Sequence, residues 1–235
     1  MRTISPLECP DCHRPLAGLP HDVVYTCPDC GRAHWFDGTP LDAPAMGTDE
    51  AKGAGLAEVA RDFRTARSVS YGFWGPAAER IPPDGTTRLE LPFWYFRVRP
   101  RFEGVEENRL RRYLPLETEL SLFVPAFGVH GLQYVGWPGR EWDPAVRPVF
   151  HPLRQALPGT SRDPFTAFAV AWFQVLQRAD HLADISNVEM HVEHLETILA
   201  GIPARRDTGR LVFPFSPKEY PEFLLDDLIS FLSAP

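Results

Sequence analysis

Cys9-Pro-Asp-Cys12, separated by 14 residues from Cys27-Pro-Asp-Cys30, is the stretch whose reading decides how this chain begins to fold. All four cysteines of the chain lie in it. Two C-x-x-C pairs at this separation suit a tetrahedral ion. Each pair bends round one side of the metal, and the intervening hairpin brings the second pair opposite the first. Pro10 and Pro28 stiffen the two turns. Gly31 follows the second pair, where the chain needs positive φ; His13 stands at the equivalent place after the first, and His tolerates that region better than most residues. Cys9, Cys12, Cys27 and Cys30 are therefore expected to hold one structural Zn2+ ion. Four thiolates close the coordination sphere, which argues against catalytic zinc. Disulfides, a redox pair and a rubredoxin-like iron are the competing readings. The paired spacing and short spacer favour zinc over each. His13 or His34 would replace a cysteine only if that cysteine faced away.

Val23–Thr26 and Ala33–Phe36 flank the second pair and fit short strands. Residues 9–37 thus resemble a zinc ribbon, a module found in many nucleic-acid machines and protein-binding adaptors. The resemblance implies a metal and a fold but no function, and it does not extend to the rest of the chain. A module of about 30 residues cannot bury a sufficient core, so the metal is expected to hold it together.

Working outward, residues 1–40 read as the ribbon, 41–57 as a small, polar, Gly/Ala-rich linker, and 58–235 as a larger domain. That last part holds most of the aromatic residues. Leu89–Val98, Leu120–Phe127 and Leu211–Phe215 read as strands. Each carries a proline (Pro92, Pro125, Pro214), which removes a ladder donor and belongs at an edge, bulge or strand end. Phe165–Arg178 reads as a helix, with Asp163 as N-cap and Pro164 at the first helical position. Its apolar stripe is taken as Phe165, Phe168, Ala169, Trp172, Phe173 and Leu176, facing a sheet. Val188, Met190 and Val192 alternate with Glu189, His191 and Glu193, which suggests a strand with one wet face; a helix through Leu195 and Leu199 fits 188–199 nearly as well. Leu224, Leu225, Leu228, Ile229 and Leu232 give a C-terminal amphipathic helix. The fold class expected is α+β: an N-terminal zinc ribbon, then a mainly antiparallel α+β domain.

The formal charge is −7, and of 24 basic residues only Lys52 and Lys218 are lysine. A net acidic chain lacks the broad electrostatic footprint of a non-specific nucleic-acid binder. No apolar run is long enough to span a membrane and the first residues carry no secretory signal, so a cytoplasmic protein with reduced thiols is expected.

Three further groups invite function. Arg97, Arg99 and Arg101 alternate on one strand among Trp94, Tyr95, Phe96 and Phe102, a pattern able to contact single-stranded nucleic acid or simply to form a solvated face. Trp137 and Trp142 sit in a turn-rich stretch and are candidate anchors for a protein partner. His181, Asp184, His191 and His194 lie close in sequence but lack an H-E-x-x-H arrangement. No nucleophile elbow, phosphate loop or dinucleotide fingerprint is present. The favoured function is a non-catalytic adaptor or assembly subunit that binds other proteins. A nucleic-acid-associated factor using the Arg strand, and an enzyme with a pocket near His191, are the alternatives.

Overall fold

The computed structural model describes residues 7–19, 22–35, 66–69, 88–104, 119–129, 139, 142–143, 147–152, 157, 160–180, 186, 188–216 and 218–222. They form mainly antiparallel sheet with one helix, an α+β arrangement dominated by strands. The strands are β1 (Val24–Thr26), β2 (Ala33–Trp35), β3 (Ala66–Val69), β4 (Arg88–Gly104), β5 (Leu120–Pro125), β6 (Phe150–Pro152), β7 (Val188–Asp207), β8 (Arg210–Val212) and β9 (Glu219–Pro221). The helix α1 spans Pro164–Asp180. The linker expected over 41–57, Trp137, and the C-terminal helix expected from Leu224 onward lie outside the described residues.

The main sheet runs β5-β4-β7-β3-β6, with β8 joined to the far end of β7 and β9 to β8. Among the described residues, only the β3–β7 pair is parallel. β4 pairs with β7 along all 17 of its residues, Arg88 opposite Arg205 and Gly104 opposite Val188. The strand reading of 188–192 therefore holds. Val188, Met190 and Val192 are half-buried while Glu189, His191 and Glu193 are exposed.

One extra residue shapes this ladder. Arg97 pairs with Glu196 but Val98 pairs with His194, so Leu195 is a bulge in β7. An inserted residue reverses which parity faces which side. Before the bulge, Met190, Val192 and His194 share the helix side of the sheet; after it, Thr197 and Leu199 do. Ile198, Ala200, Ile202 and Ala204 turn to the opposite face, where they meet Phe93, Tyr95, Phe213 and Tyr220. The sheet thus has one wet end, below the bulge, and one end buried on both sides. The long apolar run Leu91–Phe96 is the matching part of β4: Trp94 and Phe96 serve one core, Leu91, Phe93 and Tyr95 the other.

The prolines fall where a missing donor does least harm. Pro125 ends β5 and Pro214 follows β8. Pro92 lies within β4, and its carbonyl accepts from Ala126 N just past the end of β5. The N and C=O of one strand residue point to the same side, so its missing N–H also faces that strand end.

Helix α1 starts as the sequence predicts. Asp163 Oδ1 accepts from the backbone N–H groups of Phe165 and Thr166, each at 2.9 Å, and Pro164 fills the first helical position. Its buried face differs from the expected stripe. Ala167, Phe168, Ala171, Val175 and Ala179 are buried, whereas Trp172 and Phe173 are 42% and 45% exposed and Ala169 is exposed too. The physical reason is space. Trp94, Phe96, Leu122 and Val124 already project from the sheet into this layer, so the helix approaches with small side chains. Gln174, also buried, donates through Nε2 to Phe123 O at 3.2 Å, supplying an acceptor with a partner at the margin of β5.

Close packing of this face gives a direct expectation. Ala171→Leu should overfill the helix–sheet layer and lower stability by about 1–3 kcal/mol, measured by urea denaturation. Ala169→Leu, on the exposed side, should change it by less than about 0.5 kcal/mol.

Candidate metal centre

Each cysteine pair sits on a turn built the same way. Cys9 N donates to Arg14 O and His13 N to Cys9 O, both at 2.8 Å; Cys27 N donates to Arg32 O at 2.8 Å and Gly31 N to Cys27 O at 2.9 Å. The residue after each pair takes positive φ, 59° at His13 and 70° at Gly31. The Cys-Pro-Asp-Cys motif thus folds twice into one geometry. β1 and β2 flank the second turn, with Val24 opposite Trp35, Tyr25 opposite His34 and Thr26 opposite Ala33, and an Ala17–Thr26 bridge ties the limb of the first turn to β1. Tyr25 Oη donates to Leu19 O at 2.9 Å. Its ring also fills the place where a Cβ on residue 18 would fall, so Gly18 cannot be exchanged without moving it.

These turns bring the four expected ligands together. All four Sγ atoms lie within 4.8 Å of one another. The Cys12–Cys27 contact is 3.4 Å and the Cys9–Cys30 contact 3.7 Å. A Zn–S bond of about 2.3 Å in a regular tetrahedron places sulfurs about 3.8 Å apart, so the donor set fits one such ion. No cysteine faces away, so neither histidine is needed in place of one. His34 instead stands beside the cluster, its Nε2 at 3.3 Å from Cys9 Sγ and 3.8 Å from Asp11 Oδ2. Arg32 pairs with the other oxygen of Asp11.

The thiols are held in unlike surroundings. Cys9 and Cys27 are buried, Cys12 is half-buried and Cys30 is exposed. Burial pushes the Cys9 thiol up, but the backbone N–H groups of Asp11 and Cys12 and the neighbouring thiols Cys12 and Cys30 together bring it down to about 6. At Cys12 the Arg14 N–H favours the thiolate, yet desolvation and the adjacent sulfurs prevail and push it up to about 12. The shifts are opposite in sign: hydrogen bonds to sulfur favour the Cys9 thiolate, while burial and those same sulfur contacts keep Cys12 protonated. A divalent cation held by the four sulfurs would favour the thiolate at every one.

The hairpin is also part of the main core. Val24 and Ala33 belong to the same buried cluster as Trp94, Phe96, Phe168 and Val175, and Val23 and Trp35 pack against it. Trp35 lies against Phe165 with ring centroids 5.2 Å apart. Three hydrogen bonds tie the hairpin to the approach to α1: Val23 N and Val24 N donate to Thr160 O at 2.9 Å and 3.4 Å, and Leu157 N to Thr26 Oγ1 at 3.0 Å. The other side of that approach is fastened to the sheet. Trp94 Nε1 donates to Arg162 O, and Arg162 donates through its guanidinium to Pro125 O and through its backbone to Ala126 O, each at 2.8 Å. Leu157 and Thr160, bonded to the cysteine hairpin, and Arg162, bonded to the sheet, thus clamp the approach to α1 between the two.

The remaining candidates separate. Trp142 is 3% exposed, packed edge-on against Phe123 and near Phe215, so it fills the second core and offers no surface anchor. Arg97, Arg99 and Arg101 lie on the wet end of the sheet, each beside a carboxylate. Glu119 meets Arg147 at 2.7 Å, Arg99 at 3.1 Å and Arg97 at 3.5 Å. Glu193 meets Arg99 and Arg101 at 3.1 Å, and Glu196 stands 3.4 Å from Arg97 Nε. His191 pairs with Glu189 at 3.1 Å on open surface. His194 turns to the opposite side, buried against Phe168 and bonded to Thr197 Oγ1 at 2.6 Å. His181 and Asp184 lie outside the described residues. Sequence reading missed the exposed pair Trp172 and Phe173, because size and periodicity alone placed both inside.

No protein-family model matches the chain, and comparison with curated proteins and with solved structures finds no match. Among the described residues, no helix is long and apolar enough to cross a membrane.

Thr26→Val keeps the shape at the hairpin–core junction but strands the buried Leu157 N–H. It should cost about 1–3 kcal/mol by thermal or urea unfolding while metal content stays unchanged. Removing a metal held by the four sulfurs should raise amide exchange in β1, β2 and at Leu157, Thr160 and Arg162 first, with the centre of the β4–β7 ladder protected longest; uniform loss of protection would contradict the clamp.

Proposed function

We propose that this chain is a zinc-ribbon protein with a structural Zn2+ on Cys9, Cys12, Cys27 and Cys30, acting as a non-catalytic adaptor or assembly subunit that binds other proteins. The ion in this reading supplies cohesion: it neutralises four crowded thiolates and fastens the hairpin to the core. Four free thiols suit a reducing compartment such as the cytoplasm.

The observation that carries the binding role is the outer face of α1. Trp172 and Phe173 are adjacent and exposed. Large aromatics exposed side by side on an ordered helix are what interface hot spots are made of. The competing readings find less support. The guanidiniums of the Arg strand already face carboxylates, so phosphate would have to displace Glu119 and Glu193. The His191–Glu189 pair is solvent-exposed, without the burial that tunes a catalytic base.

The test is recovery of tagged protein from its own cells with nuclease present, beside a Trp172→Ser/Phe173→Ser variant of unchanged circular dichroism. Stoichiometric protein partners that resist nuclease and are lost from the variant are expected. Partners that disappear with nuclease, or that bind the variant equally, would overturn the reading.

A further inference from the structure

The thiol cluster is lopsided, and one residue outside it stands against its buried side. On one side Cys9 is fully buried and accepts from two backbone N–H groups, those of Asp11 and Cys12. On the other, Cys30 is exposed. His34 stands on the buried side, held in β2 opposite Tyr25, with Nε2 3.3 Å from Cys9 Sγ. A thiolate has no proton to give, so the hydrogen of this contact belongs to Nε2. Asp11 Oδ2, 3.8 Å from the same nitrogen, favours that tautomer electrostatically, and Arg32 holds Asp11 in place. A sulfur that accepts three hydrogen bonds shares out its negative charge and becomes a weaker nucleophile.

Building on the zinc reading above, we propose that His34 is a positioning residue that donates a hydrogen bond to the metal-bound Cys9 thiolate, making Cys9 the inert anchor of the site and leaving exposed Cys30 as the ligand where electrophiles attack and the ion is released. In that attack the Cys30 sulfur adds to the electrophile. With a maleimide, the thiolate adds across the ring double bond and solvent supplies the proton to the adjacent carbon. The resulting thioether is a poor ligand, so the Zn–S bond breaks and the ion leaves. The buried pair Cys9 and Cys27 is reached only after that. Arg32 and Asp11 then act as a brace for the imidazole rather than as ligands.

The experiment uses the full chain loaded with one Zn2+, confirmed by elemental analysis and folded by near-ultraviolet circular dichroism. N-ethylmaleimide is added in small excess. Peptide mass spectrometry orders the modified cysteines, and a chromogenic chelator follows the zinc. In the unaltered protein Cys30 should react first, with zinc release at the same rate. His34→Ala should bring Cys9 into the early reaction and speed release about tenfold, the factor that corresponds to losing about 1.4 kcal/mol. His34→Gln carries an N–H donor at a similar reach and should restore most of the protection, which a purely structural defect would not allow. Simultaneous modification of all four cysteines in the unaltered protein, or release from His34→Ala at the original rate, would overturn the proposal while leaving the zinc site standing. A chain that binds no zinc would instead defeat the reading on which it rests.

Discussion

The antiparallel ladder between β4 and β7 runs the whole length of β4, and the other described elements are placed by it. β5 adds to one side, β3 and β8 to the other, and α1 covers one face of it. The bulge at Leu195 divides the ladder into an end with a wet face and an end buried on both sides. That single insertion puts Ile198, Ala200 and Ile202 into the second core while keeping Glu189, His191 and Glu193 in water. In a continuous two-residue period one of these groups would sit on the wrong face.

On this frame the cysteine hairpin is less separate than its sequence implies. A ribbon on a linker would be expected to close on itself. Here Val24 and Ala33 join the helix-side core, and Thr26 caps a backbone N–H that lies 131 positions away. A metal ion held by the four sulfurs would therefore stabilise more than its own loop, acting through Leu157, Thr160 and Arg162 on the capped start of α1, and so on the helix that presents Trp172 and Phe173. A metal centre of this kind couples ligand chemistry to packing.

Some of this was legible beforehand and some was not, for physical reasons. Cap and turn chemistry is local, so Asp163, Pro164, Gly31 and His13 could be placed from neighbours alone. The alternation of Val188, Met190 and Val192 likewise reports one strand's own environment. The helix face could not be read this way. Which side of α1 is buried depends on how much room Trp94, Phe96 and Leu122 leave, and those residues are far off in the chain. Trp142 looked like an exposed anchor because its stretch is rich in turns, yet Phe123 and Phe215 enclose it. The Arg strand kept its alternation but not its implication, since Glu119, just before β5, and Glu193 in β7 face it. His34 read as a spare ligand and stands as a neighbour of one.

The central claim is that one ion with four sulfur ligands joins the two turns. X-ray absorption at the zinc edge on the purified full-length chain tests it most directly. The account predicts one zinc per chain with a single shell of four sulfurs at about 2.3 Å and no nitrogen or oxygen neighbour at bonding distance. A mixed shell containing nitrogen or oxygen, or a folded protein that holds no metal, would contradict it.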